Sequence, residues 1–227
     1  MNAGFGKRLY EIFVQLALII VGVLSALGVD NYRETIQEHK LEKEYLVNLR
    51  NAVQADTVEL KTEIQKTYNK INAITKMISL SNSNQSIDND EFGNLITDVT
   101  MLIRPNFITA VYEELKYTGN FKLIRNNKLK TLIIAYYSDN AIIQQKNLAD
   151  LGGNNAELID HLAFDEMEYK VPYDQKRIYK AIQEHEELRD ELLRNQKSVS
   201  SLRSGMIYTS MPRSIELLEK LQVEIDK

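Results

Sequence analysis

The chain has 227 residues, 44% of them hydrophobic and 26% charged, and its 28 Lys and Arg against 32 Asp and Glu give a formal charge of -4. That acidic balance argues against general nucleic-acid binding. The absence of Cys removes disulfides, thiolate nucleophiles and Cys-ligated zinc. The length allows about one to two domains.

From the N-terminus, the first element is an apolar run from Ile12 to Val29, IFVQLALIIVGVLSALGV, without a charge and with only Gln15 and Ser25 appreciably polar. A buried core helix is usually shorter or carries a polar stripe, so this composition predicts a membrane span. Tyr10 and Tyr32 bracket the run, and helical rise between them gives about 33 Å against a hydrocarbon layer of about 30 Å. Lys7 and Arg8 precede the run as in a signal peptide, but only Val23 and Ser25 resemble a cleavage site, which predicts a retained anchor. These cations crowd the N-terminal edge, whereas Arg33, Lys40 and Lys43 are spread along the other flank, so the expected tail is cytoplasmic and the expected body periplasmic. The expected location is the inner membrane, crossed once. Gly22 with Ala26, and Ser25 with Gly28, put small residues where another helix could approach. Glu11 lies at the headgroup edge and Gln15 is uncharged, so no ion path is expected.

Residues 31–80 contain no Pro or Gly and mix Glu, Lys and Gln with Leu, Ile and Val, predicting one long helix of about 75 Å. Leu46, Leu49, Val53 and Leu60 share a face, continued by a drifting stripe of Ile64, Ile71, Ile74 and Ile78. Asp56 and Glu63 occupy positions in the register of Leu46 and Leu49, so the heptads read as interrupted and an intramolecular bundle is expected rather than a long parallel coiled coil. SNSNQSIDND, residues 81–90, reads as a loop. A helix over 91–103 follows, then a break at Arg104-Pro105-Asn106, then FITAVYEELKY with Phe107, Ile108, Val111 and Leu115 inward. Thr118-Gly119-Asn120 predicts a helix exit into a hairpin restarted by Leu123, Ile124, Leu129, Leu132, Ile133 and Tyr136.

Gly152-Gly153-Asn154-Asn155 predicts a stop, with a short helix after it carried by Leu158, Ile159, Leu162 and Phe164, and a break at Pro172. Tyr173 to about Gln196 reads as one Glu-rich helix with Ile178, Ile182, Leu188 and Leu192 inward, ended by the Ser-rich stretch 198–204. A last helix starts near Pro212 and carries Ile215, Leu218, Leu221 and Ile225. The expected fold is all-α: a tail over 1–11, a transmembrane helix over 12–29, a stalk or bundle helix over 30–80, and the remainder of a helical bundle over 81–227.

The search for chemistry returns structural readings. Asp88, Asp90 and Gly93 match positions one, three and six of a calcium loop, but Phe92 and Val99 stand where oxygen ligands should complete it. Glu157, His161 and Asp165 follow one another at helical-turn spacing without the paired Glu-x-x-His pattern of a di-metal bundle. His185 projects inward between Ile182 and Leu188 as a structural residue, and His39 reads as a surface or interfacial one. Glu113-Glu114 and Glu186-Glu187 are adjacent on a helix and do not face one point. No serine elbow or phosphate-binding glycine loop is present. No catalytic, cofactor-binding or metal residue is expected, and no cofactor. Twelve Tyr and six Phe read mainly as core. Tyr112 and Tyr117 with Lys116, or Tyr136 with Tyr137, are the alternative interaction patches.

Two stretches, LYEIFVQLALIIVGVLSALGVDNYRE and FITAVYEELKYTGNFKLIRNNKLKTLIIAYY, resemble the signatures of a widespread family of uncharacterised single-span proteins from Bacteroidota. In that family Asn after the span is often followed by Trp, whereas Asn31 here is followed by Tyr32. The resemblance implies an inner-membrane protein with a helical extracytoplasmic domain and no established reaction. The function expected is a non-catalytic, membrane-tethered scaffold or partner-binding module, contacting the bilayer through 12–29 and a protein partner or further copies of itself. The alternative is an extracytoplasmic ligand sensor acting through helix repacking and a membrane partner. A convergent polar pocket favours sensing and an exposed apolar patch favours docking.

Overall fold

The computed structural model describes the backbone of residues 3–159 and 174–227, and the side chains of 13, 15–145 and 174–227. Most of the described residues are helical, and none of them lies in a strand. α1 runs from Ala3 to Ser83, α2 from Asn89 to Thr100, α3 from Ala110 to Tyr117, α4 from Asn127 to Ile159, α5 from Gln175 to Glu184, α6 from Glu186 to Gly205 and α7 from Met211 to Ile225. A 3-10 turn over Asn120–Leu123 precedes α4, and a π-helical stretch over Met206–Ser210 joins α6 to α7.

α1 is 81 residues long. Its buried positions explain how it organises the other helices. Glu42, Leu46, Leu49, Val53, Asp56, Leu60, Glu63, Thr67, Lys70, Ile74, Met77 and Ser81 are all buried, and their spacing alternates four and three without a break. That period of 3.5 keeps one face against neighbouring helices from Glu42 to Ser81. The register read as interrupted at Asp56 and Glu63 is therefore continuous. It is a register of burial rather than of hydrophobicity: Glu42, Asp56, Glu63 and Lys70 are satisfied by groups on other segments, while the Thr67 and Ser81 hydroxyls donate to carbonyls of α1 itself. The packing partners are helices of the same chain: α7, α6, α2 and α5 lie along α1, and α4 packs on α6 and α7.

Two clusters form the core. The first joins Leu46, Leu49, Val53 and Leu60 of α1 to residues of α3, α4, the end of α6 and α7, with Tyr136 at its centre. The second joins Ile74 and Met77 to Phe92, Ile96 and Val99 of α2, Ile178 and Ile182 of α5, and Leu188 and Leu192 of α6. Each fully buried Leu or Ile contributes roughly 1.5–3 kcal/mol. Tyr112 stacks on Tyr137 at 4.4 Å, and Phe107 meets Tyr136 edge to face at 6.4 Å, so most of the central aromatic group is core.

Several boundaries differ from expectation. α1 extends three residues into the Asn- and Ser-rich stretch, which turns at Asn84 with φ of 53°, and Asp88 then caps α2. The break around Pro105 is wider than three residues: 101–109 is non-helical, with Ile103, Pro105 and Phe107 buried while Leu102, Arg104, Asn106 and Ile108 are exposed. This period-two burial belongs to an extended strap, and it turns Ile108 out to solvent. α4 continues through Gly152–Asn155, because a glycine pair weakens a helix by about 1 kcal/mol per residue without forbidding it.

The long Glu-rich helix is two helices. His185 has extended backbone angles of -106° and 100° between α5 and α6. In one continuous helix Leu188 would lie about 120° around from Ile182. The break lets both face the same core. The Ser-rich stretch does not end α6, since Val199, Leu202 and Met206 are buried at helical spacing through it and override the weak propensity of Ser. Pro212 stands in the first turn of α7 as expected. The inner stripe there is Ser214, Leu217, Leu221 and Ile225 with Leu218 half-buried, whereas Ile215 is 55% exposed. Gly119, at φ of 71°, makes the predicted exit after α3.

Candidate functional site

The N-terminal part of α1 is the most conspicuous surface. Leu16, Leu18, Ile19, Ile20, Val21 and Leu24 are each at least half exposed among the described residues. Among the described residues this is the one helix long and apolar enough to cross a membrane, with mean hydropathy 1.5 over its best window. In water such a run would forfeit the burial free energy of every side chain, and a lipid phase removes that cost. Gly22 and Gly28 have open space around them. Charged and polar residues take over at Asp30, and the first seam residue of the bundle is Glu42. Helical rise puts that residue about 20 Å beyond Val29.

At this lower end, Glu42 accepts the Arg125 backbone N–H at 2.8 Å, and the Arg125 guanidinium reaches Glu38, Glu42 and His39. His39 is a surface residue here, as expected. Asn126 caps α4 through the N–H groups of Lys128 and Leu129 and donates to Glu224 of α7 at 2.7 Å. The Glu224 carboxyl is held below its ordinary range by that bond and by Lys227. Arg50 donates to Gln222 at 2.8 Å. α1, the start of α4 and the end of α7 are thus tied together where the body begins.

Higher on α1, the polar seam residues hold the strap. Lys70 donates to the Met101 carbonyl, Glu63 accepts the Arg104 N–H, and Asp56 accepts the Ile108 N–H, each at 2.8 Å. Fourteen helical residues rise about 21 Å and seven extended residues span about 23 Å, so a seven-residue repeat on the helix matches the strap. A buried non-helical backbone needs such partners. Gln144 of α4 donates to the Pro105 carbonyl at 3.1 Å, so the strap is held from both sides. Burial raises the Asp56 carboxyl and lowers Lys70 to about 7. The sequence showed these residues but not their purpose, since their acceptors and donors are backbone groups distant in the chain.

The other sequence candidates separate in space. Asp88 accepts the N–H groups of Asp90 and Glu91, which makes it a helix cap. Glu113 pairs with Lys116 and Glu114 accepts the Tyr45 hydroxyl. Glu186 and Glu187 lie in the first turn of α6. His185 is exposed at the break before α6 rather than turned inward. Glu157, His161 and Asp165, the short helix around Phe164 and the break at Pro172 lie outside the residues whose side chains are described. Among the described residues no three His, Asp or Glu side chains gather closely enough to hold a metal. Tyr136 and Tyr137 are core, whereas Tyr117 is 79% exposed with the Lys116 ammonium over its ring.

Open grooves also lie among the described residues. One of about 400 Å³ lies between α1 and α2 and is lined by Asn69, Asn72, Asn94 and Asp98 beside the Lys76–Glu91 ion pair. Another, of about 580 Å³, lies between α4 and α7 over Leu129, Leu132 and Ala135, rimmed by Lys128, Arg213 and Lys220. Neither protein-family models, curated proteins nor solved structures give a match to this chain. The fold and the exposed apolar helix define an all-α, membrane-associated protein with a helical bundle beyond the apolar segment.

Proposed function

We propose that the protein is a membrane-tethered helical scaffold or partner-binding module of the bacterial envelope, without catalytic activity of its own. The observation that carries this reading is the continuity of α1, which passes from exposed apolar residues at Leu16–Leu27 into the buried seam at Glu42–Ser81 without a break. In this reading 12–29 crosses the inner membrane once, the N-terminal tail with Lys7 and Arg8 is cytoplasmic, and the bundle is periplasmic. The resemblance to the Bacteroidota single-span family supports the same placement. The mechanism is positional: the anchor fixes the bundle at a set height and the bundle surface recruits another envelope component.

Membrane fractionation of the full chain tests the tether, with retention after carbonate extraction expected and release as a soluble protein against it. In-membrane crosslinking from the FITAVYEELKY surface, with and without 1–29, then tests recruitment. A reproducible heterologous partner that is lost with the anchor is expected, and capture of nothing but a small ligand counts against it. The second reading, a ligand sensor, draws support from the amide-lined groove between α1 and α2.

A further inference from the structure

The outer face of α1 carries little charge, as does the exposed face of α4 from Thr131 to Gln145. Between Asn48 and Thr75 the fully exposed positions of α1 carry a single charge, Lys61, with Arg50, Glu59 and Lys66 half-exposed at the edges, in a chain that is 26% charged. On α7, by contrast, Glu216, Glu219, Lys220, Asp226 and Lys227 are all exposed. The outermost line on α1 runs Asn51, Ala55, Val58, Thr62 and Gln65, again at alternating spacings of four and three. Val58, 58% exposed, lies two residues from both Asp56 and Leu60 and so faces away from the bundle. Depletion of charge over a long, regular face is the compositional mark of an interface core, and the seven-residue repeat is the spacing one helix uses to follow another.

We propose that this face packs against the same face of a second copy, forming a parallel dimer about a two-fold axis along α1. Three observations select a second copy. An isologous contact sets each residue near its own equivalent, so a charged line would repel itself and an uncharged one does not. The buried seam lies on the opposite side of α1, so two copies joined here carry their bundles outward. The same helix bears the apolar segment, so copies sharing one membrane stand parallel with matching heights. The contact is polar and modest, and confinement to one membrane supplies the effective concentration it needs. This inference rests on the membrane anchor proposed above.

The chain has no Cys, so single substitutions report cleanly. Full-length Val58→Cys, Thr62→Cys and the control Glu219→Cys on α7 are oxidised in native membranes after carbonate extraction. A seam of packed helices brings equivalent Cα atoms within disulfide reach. Dimer yield at Val58→Cys and Thr62→Cys about tenfold above the control is expected. Adding Val58→Lys to Thr62→Cys should remove that excess, with the helical circular dichroism of the chain unchanged. Yield equal to the control in chain retained by the membrane overturns the dimer and leaves the anchor standing. Release of the chain by carbonate overturns both. An adduct with a different protein at Val58→Cys overturns the second copy as occupant.

Discussion

The hydroxyl of Tyr136 on α4 donates to Oδ2 of Asp56 on α1 at 2.8 Å, while Oδ1 of the same carboxylate receives the Ile108 N–H at 2.8 Å. One buried side chain therefore joins three segments. Burial and the neighbouring carboxylate also push the Tyr136 phenol well above its ordinary range, so it stays a donor.

Asp56→Ala leaves a buried hydroxyl and a buried N–H without their acceptor and should cost about 3 kcal/mol, whereas Tyr136→Phe should cost about 1 kcal/mol. The double variant should be more stable than the sum of the two losses predicts, by about 1 kcal/mol. Denaturant unfolding of the four proteins in detergent measures the cycle, and strict additivity would show that the two groups do not communicate.

Lys70 gives a pH signature. Burial lowers it from 10.5 to about 7. Between those values the unfolded chain holds a proton that the folded chain lacks, so stability should rise with pH across this window, by at most about 1.4 kcal/mol per pH unit. Below about 7 both states are protonated and this contribution is flat. Lys70→Met should flatten the slope above pH 7. Unfolding midpoints measured from pH 6 to 10 for both chains check this, and parallel curves would refute it.

Gly119 sits at φ of 71°, and an added Cβ would meet nothing within 4 Å. Gly119→Ala should thus cost about 1–2 kcal/mol through backbone strain alone, and Gly119→Asn less. Comparison of thermal midpoints decides it.

His185 is exposed where α5 gives way to α6. His185→Ala should change stability by no more than about 0.5 kcal/mol, as expected of a surface site. Leu188→Ala, three residues on and buried, should cost about 2–4 kcal/mol. Equal losses for the two would return His185 to the core.

The readable part of this fold was its apolar stripes and its left-handed turn. Leu46, Leu49, Val53 and Leu60 are buried together, and Gly119 ends α3 as its lack of a side chain suggests. Local chemistry misled where tertiary contacts outweighed it. Ser198–Ser204 stay helical because Val199 and Leu202 need the core, and Ile215 lies outside because Ser214 and Leu217 take the inner line. Asp56 and Glu63 looked like faults in a heptad. Only the position of the strap, set by contacts some 40 to 50 residues away, shows why carboxylates belong there.

Because α1 has neither Gly nor Pro from Val29 to Ser83, the body has no Gly or Pro joint at which to swivel on the membrane anchor proposed above. Its compass bearing in the plane of the bilayer is written in the number of residues between Tyr32 and Glu42. One inserted residue would swing the whole body by about 100° and lift it about 1.5 Å, while seven would return it close to its first bearing roughly 10 Å higher. The neck thereby works as a keyed shaft, whose length sets which side of the body any neighbour in the membrane encounters.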